Sequence, residues 1–263
     1  MIQEDVAIIT LSQLGKGEDW RLSLAHDRPY NVLIWVTRGQ GRLMLDGQRS
    51  GVGAHNAVYV PAGALFSLEL GRQGFGQVVV IPQDTELRLP QIPRQLRIRD
   101  VHLQTELSAL IEAAQREQSQ GRPLKRDALE AHAGLMSVWL RRLIAEEEHL
   151  PPPRNAAARL SSRFAKHLAE GYASGAPMAD YARAMAVTPT HLTRAIKAAT
   201  GKTAADLLTE RVLYEARDML AGSSHSAKDI ARHLGFGSAA YFTRFIQQHV
   251  GKPPSQLRAK PIA

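Results

Sequence analysis

Two arginines at matching places in a repeated pattern are the residues of this chain best suited to recognising another molecule. Leu192-Thr193-Arg194-Ala195-Ile196 is followed by Gly201-Lys202 and Leu207; fifty residues on stand Phe242-Thr243-Arg244-Phe245-Ile246, Gly251-Lys252 and Leu257. The register is the same throughout, so two copies of one supersecondary unit are the simplest account. A guanidinium can donate twice to guanine O6 and N7, and a threonine can touch a thymine methyl or a base edge. On a helix, Thr190, Thr193, Arg194 and Lys197 share one outer face, as do Ala240, Thr243, Arg244 and Gln247.

A second group of residues, in the N-terminal third, suits a small molecule. Trp35, Met44, Tyr59 and Phe66 lie on short apolar runs and can line a pocket, with His26, Arg28, Arg38 and Arg42 as polar anchors. The arginines favour an aromatic or other carboxylic acid, which a guanidinium fork binds bidentately. Which side chains point inward depends on strand register, and a slip of one residue inverts the face.

Catalytic chemistry finds little support. The chain has no cysteine, so it has no thiolate metal ligand and no cysteine nucleophile. His26-Asp27-Arg28 offers one imidazole where a metal-dependent β enzyme needs clustered histidines and a carboxylate. Gly71-Arg-Gln-Gly74-Phe-Gly76 lacks the following helix that a phosphate loop requires. Ser161-Ser162 and Ser223-Ser224 have no readable base partner. The expectation is a non-enzyme with no metal, catalytic residue or cofactor.

The reading positions need short helices joined by tight turns, and the flanking residues supply them. Met178–Ala186 reads as a short helix, Thr188 as an N-cap, Pro189 as the first position of the next helix and Gly201 as its stop. Ser226, the turn Gly235-Phe236-Gly237, Ser238 and Gly251 repeat the arrangement. Two helices joined this way, the second presenting arginine and small polar residues, form a helix-turn-helix pattern. Between the copies, 203–220 reads as one helix able to space two reading helices about one DNA turn (~34 Å) apart.

Upstream, Tyr30–Thr37, Arg42–Asp46, Ala57–Val60, Leu65–Leu70 and Gln77–Ile81 are short strand-like runs cut by Gly and Pro, the texture of a sandwich or small barrel. Leu103, Leu107, Leu110, Ile111 and Ala114 then switch to helical period, and a second stripe carries Leu129, Met136, Trp139, Leu140, Leu143 and Ile144. These two helices cover the β region, form a dimer seam, or do both. Pro151-Pro-Pro153 and the residues to Ala158 read as a linker.

Charge divides the chain the same way. Of 263 residues, 154–263 carry a net charge of +9 and 1–153 a net of −1, so the basic excess sits beside the repeat and points to an anionic partner. A helical bundle whose surface is merely basic does not account for two motifs in register. The longest apolar run, Val32-Leu33-Ile34-Trp35-Val36, is too short to span a membrane, and the first residues lack the basic and apolar regions of a signal peptide. The expectation is a soluble cytoplasmic protein with no membrane partner.

Residues 159–258 resemble the AraC/XylS family DNA-binding domain, a seven-helix unit with two helix-turn-helix motifs. The resemblance rests on Asp229-Ile230-Ala231 with Gly235-Phe236, Tyr241-Phe242-Thr243-Arg244-Phe245, and Gly251-Lys252-Pro253-Pro254-Ser255-Gln256-Leu257-Arg258. It implies base contacts from Thr190, Thr193 and Arg194 in the first motif and from Ala239, Ala240 and Arg244 in the second, with Ser238 and Thr243 on phosphate. Ala239 and Ala240 stand where family members often place polar readers, so the second helix is expected to give thymine-methyl contact and backbone anchoring more than hydrogen-bond readout. Residues 39–47 and 58–63 carry a resemblance to a cupin-type effector-binding jelly roll.

The resulting expectation is an α+β multidomain chain. It has a cupin-like β-barrel or jelly-roll sensor (1–99), a helical dimerisation or support segment (100–150), a linker (151–158) and an all-α double helix-turn-helix domain (159–263). The function expected is a transcriptional regulator that binds double-stranded DNA as a homodimer and answers to a small-molecule effector, with RNA polymerase a partner if it activates. The rival readings are a metal-dependent cupin enzyme fused to a nucleic-acid module, and a ligand-independent architectural DNA binder.

Overall fold

The computed structural model describes residues 5–146 and 155–258. They form two compact units, Met1–Ser23 with Asp27–Arg154, and Leu24–His26 with Asn155–Ala263. The expected linker prolines, Pro151 to Pro153, lie outside the described residues.

The first unit holds strands β1 (Ala7–Thr10), β2 (Tyr30–Arg38), β3 (Gln40–Leu45), β4 (Gln48–Gly53), β5 (Asn56–Val60), β6 (Phe66–Leu70), β7 (Phe75–Pro82) and β8 (Arg94–Arg97). They make two antiparallel sheets, ordered β1-β7-β2-β5-β8 and β4-β3-β6. Among the described residues no ladder joins the sheets, so the expected barrel or jelly roll is an open two-sheet sandwich and not a closed barrel. Its seam is filled by two single-turn helices, α1 (Leu11–Leu14) against β7 and α2 (Trp20–Ser23) against β6.

The continuous apolar run of β2 has a direct cause. The strand is central and covered on both faces, so the polar alternation of a half-buried strand is absent. Val32, Ile34 and Val36 point into an aliphatic core between the sheets with Leu43, Val58, Phe66 and Val80. Leu33 and Trp35 point the other way, with Tyr59, Val79 and Ile81, beneath helices α3 (Val101–Gln120) and α4 (Lys125–Ala145). Leu107 and Trp139 are buried in that second core. Both helices therefore support the five-stranded sheet.

The second unit is helical: α5 (Ala156–Gly171), a 3-10 turn (Tyr172–Ser174), α6 (Met178–Ala184), α7 (Pro189–Thr200), α8 (Ala204–Gly222), α9 (Ala227–His233), α10 (Ala239–Val250) and α11 (Pro254–Leu257). α8 packs on α7, and further along its Leu213, Ala216 and Leu220 join Ile230, Ala231, Phe242 and Ile246 in one core. Its 19 residues span about 28 Å, so it is the rod that spaces the two motifs. Among the described residues, no helix is long and apolar enough to cross a membrane.

Candidate nucleic-acid interface

The first reading helix, α7, starts where its capping chemistry dictates. The Thr188 hydroxyl accepts the His191 backbone N–H at 3.2 Å, Pro189 occupies the first turn, and Gly201 at φ 79° ends the helix. Leu192, Ala195 and Ile196 are buried beneath it. This leaves Thr190, Arg194 and Lys197 exposed, with Thr193 half-buried beside them. The four expected readers of the first motif therefore share one open face.

The second motif is built the same way with a longer turn. The Ser226 hydroxyl accepts the Asp229 N–H at 3.1 Å to start α9. Phe236 fills the turn, its ring 5.3 Å from Phe242 and 5.2 Å from Phe245, and so sets the direction of α10. Ser238 caps α10 by accepting the Tyr241 N–H at 3.1 Å. Ala240 and Arg244 are exposed and Ala239 is half-buried. The Thr243 hydroxyl donates to the Ala239 carbonyl at 2.9 Å, so its proton is already committed, whereas Ser238 still has an O–H to donate. Among the described residues neither Arg194 nor Arg244 is ion-paired. Two guanidinium groups thus stand open on equivalent helices.

Two exposed residues on these faces were not among the expected readers. His191 Nδ1 lies 3.3 Å from the Arg194 guanidinium and accepts from it. Tyr241, three residues before Arg244, is 56% exposed, its ring 5.7 Å from Phe236. Each stands three positions before the arginine of its own copy, so the repeat itself carried the signal. Lys202, by contrast, sits 2.6 Å from the Glu210 carboxylate and is half-buried, which leaves it less free than the exposed Lys252 to meet a phosphate.

The motifs are also pinned to each other. The loop before α6 and the turn after α9 touch backbone to backbone: a Cβ on Gly235 would lie 2.4 Å from Gly175 N and 2.8 Å from Ala173 O. Only glycine fits at this approach, and both residues adopt left-handed φ angles, +69° at Gly175 and +74° at Gly235.

The eight expected effector contacts do not converge. His26 is fully buried, groups with the second unit, and its Nδ1 is 2.8 Å from the Leu24 carbonyl. Trp35 donates to Ser108 Oγ at 3.1 Å and Tyr59 donates to Asn31 Oδ1 at 3.3 Å, both under the helices. Burial raises the Tyr59 phenol above its ordinary range. Phe66 is enclosed between the sheets, and Met44 is buried one residue out of phase with the inward Leu43. Arg42 is exposed, Arg38 donates to the Gln73 carbonyl at 3.0 Å, and Arg28 donates to Tyr30 Oη and to the Leu14 and Arg21 carbonyls at 3.2–3.4 Å. The sandwich interior they were expected to line is filled by Phe66 and aliphatic side chains. A cavity of about 760 Å³ lies elsewhere in this unit, between residues 11–23 and 68–74, and none of the eight lines it.

Comparison with known proteins agrees with the geometry of the second unit. A helix-turn-helix domain family matches residues 181–260. The virulence regulon transcriptional activator VirF of Yersinia enterocolitica is 29% identical over 110 residues, 42% of this chain and 41% of the relative. The arabinose operon regulatory protein of Escherichia coli is 25% identical over 126 residues, 48% of this chain and 42% of the relative. The chain thus spans about two-fifths of the length of these relatives. Among solved structures, apo ToxT K231A of Vibrio cholerae aligns over 97% of both chains at 11% identity with a TM-score of 0.44.

Proposed function

By its C-terminal helix-turn-helix domain this chain belongs to the AraC family, and on that premise we propose that it is a transcriptional regulator that reads double-stranded DNA. The observation that carries this reading is the pair of exposed arginines, Arg194 and Arg244, which have no carboxylate partner among the described residues and stand at equivalent places on α7 and α10. Thr190, Thr193 and Lys197 flank the first, and Ala239, Ala240 and Ser238 the second. The guanidiniums donate to base edges in successive major grooves, while hydroxyls and lysines hold phosphates. The match of residues 181–260 to a helix-turn-helix domain family supports the assignment.

The first unit has a different role, since residues 1–153, with a net charge of −1, supply none of the basic excess that draws DNA. It is the sensor, and a small molecule bound there changes DNA affinity by the 1–3 kcal/mol (about 5–150-fold) typical of coupled sites. The outer face of α4, where Leu135 is 54% exposed and Leu124, just before the helix, is 74% exposed, is the seam of a homodimer.

Titrating the full chain into labelled duplex by fluorescence anisotropy tests the DNA reading. The logarithm of affinity should fall linearly with log salt at a slope of several units. Binding that is absent, or insensitive to salt between about 50 and 200 mM, sinks it.

A further inference from the structure

We propose that the cavity between the α1–α2 segment and the β6–β7 turn binds a small amphipathic amine. This deepens the sensor reading and rests on it for any effect on DNA, but not for binding itself. At about 760 Å³ the space is of small-molecule size. Its floor is apolar: Leu11 and Leu68 are 6% and 2% exposed, and Leu22 and Leu70 are half-buried beside them.

The polar groups decide the ligand's charge. The lining residues include three carboxylates, Glu18, Asp19 and Glu69, and one guanidinium, Arg72. Glu18 is already held by Arg21 at 2.9 Å. Asp19 and Glu69 are exposed and, among the described residues, not ion-paired. An ammonium group placed at either carboxylate gains a charge-assisted hydrogen bond, while its hydrocarbon body covers the leucines. A carboxylate placed there meets like charges instead, so the class differs from the acid that the arginines of the sequence suggested. A metal ion is not favoured: among the described residues no three ligating side chains converge.

Both walls are built before a ligand arrives. Thr10 and Gln13 close a reciprocal capping box on α1. Arg28 ties this segment down through the Leu14 and Arg21 carbonyls. Arg21 itself is 4% exposed and lies 4.4 Å over the Trp20 ring. The opposite wall, β6, is the edge strand of its sheet and, among the described residues, pairs only with β3. A site preformed in this way loses little entropy on binding.

Isothermal titration of the full chain with phenethylamine and with 3-phenylpropionate, two ligands of closely similar skeleton and opposite charge, tests the assignment. Phenethylamine should bind saturably and at least tenfold more tightly than the acid. The near-isosteric double variant Asp19→Asn/Glu69→Gln, with an unchanged melting temperature, should lose at least tenfold in amine affinity, and Arg72→Gln should not. Equal or tighter binding of the acid, an unaltered double variant, or no saturable heat with 10 mM amine overturns the proposal. Duplex affinity measured with and without amine is a separate readout. Amine binding with no change there leaves the site standing and counts against the sensor role alone.

Discussion

Replacing Gly235 with alanine should destabilise the C-terminal unit by about 2–4 kcal/mol. Two effects add. Alanine in the left-handed region, where Gly235 sits at φ +74°, costs about 1–2 kcal/mol. The new Cβ would also stand 2.4 Å from Gly175 N, 2.7 Å from its Cα and 2.8 Å from Ala173 O. These are backbone atoms that cannot rotate aside, so the overpacking adds about 1–3 kcal/mol. The loss of unfolded-state freedom returns only about 0.4–1 kcal/mol. Gly251→Ala is the internal control: it has the same φ of +74° but nothing within 4 Å of the new Cβ, so it bears the first cost without the second. Urea denaturation of both variants, followed by far-UV circular dichroism, isolates the steric part as the difference between them. Because Gly235 pins the second motif to the loop preceding the first, Gly235→Ala should also weaken DNA binding at temperatures where the chain is still folded. If Gly235→Ala costs no more than Gly251→Ala, the close approach of the two motifs does not exist as described.

The other expectations are more local. Arg194→Ala should cost about 1–3 kcal/mol on a preferred site and relax choice at particular base pairs, whereas Lys252→Ala should weaken all sequences alike and reduce the salt slope by about one; equal loss on preferred and random duplex for Arg194→Ala argues against base reading. The Thr203 hydroxyl first, and its backbone N–H next, hold Asp206 below its ordinary value of 3.8, so this capping contribution is present above that value and lost as pH falls through the lower folded value. Asp206→Asn should therefore be less stable than wild type at neutral pH, with the gap closing in acid; a gap constant from pH 7 to strong acid refutes the coupling. Leu135→Glu, on the exposed face of α4, should shift sedimentation from dimer to monomer without lowering the melting temperature, while Leu107→Glu, buried in the core, should lower it sharply. A dimer intact in Leu135→Glu moves the seam elsewhere.

The helical half was legible because its boundaries are written in capping chemistry. Thr188-Pro189 and Gly201 bracket α7, Ser238 and Gly251 bracket α10, and both helices occupy the expected residues. The repeat added orientation, since the buried Leu192 and Ile196 have Phe242 and Ile246 as counterparts. His191 and Tyr241 were not legible as readers because neither presents the guanidinium fork or short aliphatic hydroxyl that marks base or phosphate contact.

The β half was less legible for physical reasons. β4 carries Gly51 and Gly53 and one buried apolar residue, Val52, so it has almost no strand signal. In β8 only Leu96 is buried. β2 and β5 are buried on both faces, which erases the alternation that tells inside from outside. Trp35 and Tyr59 were therefore assigned to a lumen, whereas the ladder places Leu33 opposite Tyr59 and Trp35 opposite Ala57 on the helix-covered face. The cavity was invisible for another reason. It joins residues 11–23 to residues 68–74, an arrangement set by how α1 and α2 close the sandwich seam.

Selection of bound duplexes from a random pool with the full chain, repeated with Arg194→Ala and Arg244→Ala, tests the central claim most directly. The account predicts two conserved blocks whose centres lie about one helical turn, ~34 Å, apart on one face of the duplex. Arg194→Ala should erase one block and Arg244→Ala the other. A pool with no enriched sequence, or one block lost equally in both variants, would contradict a chain that reads DNA through two equivalent helices.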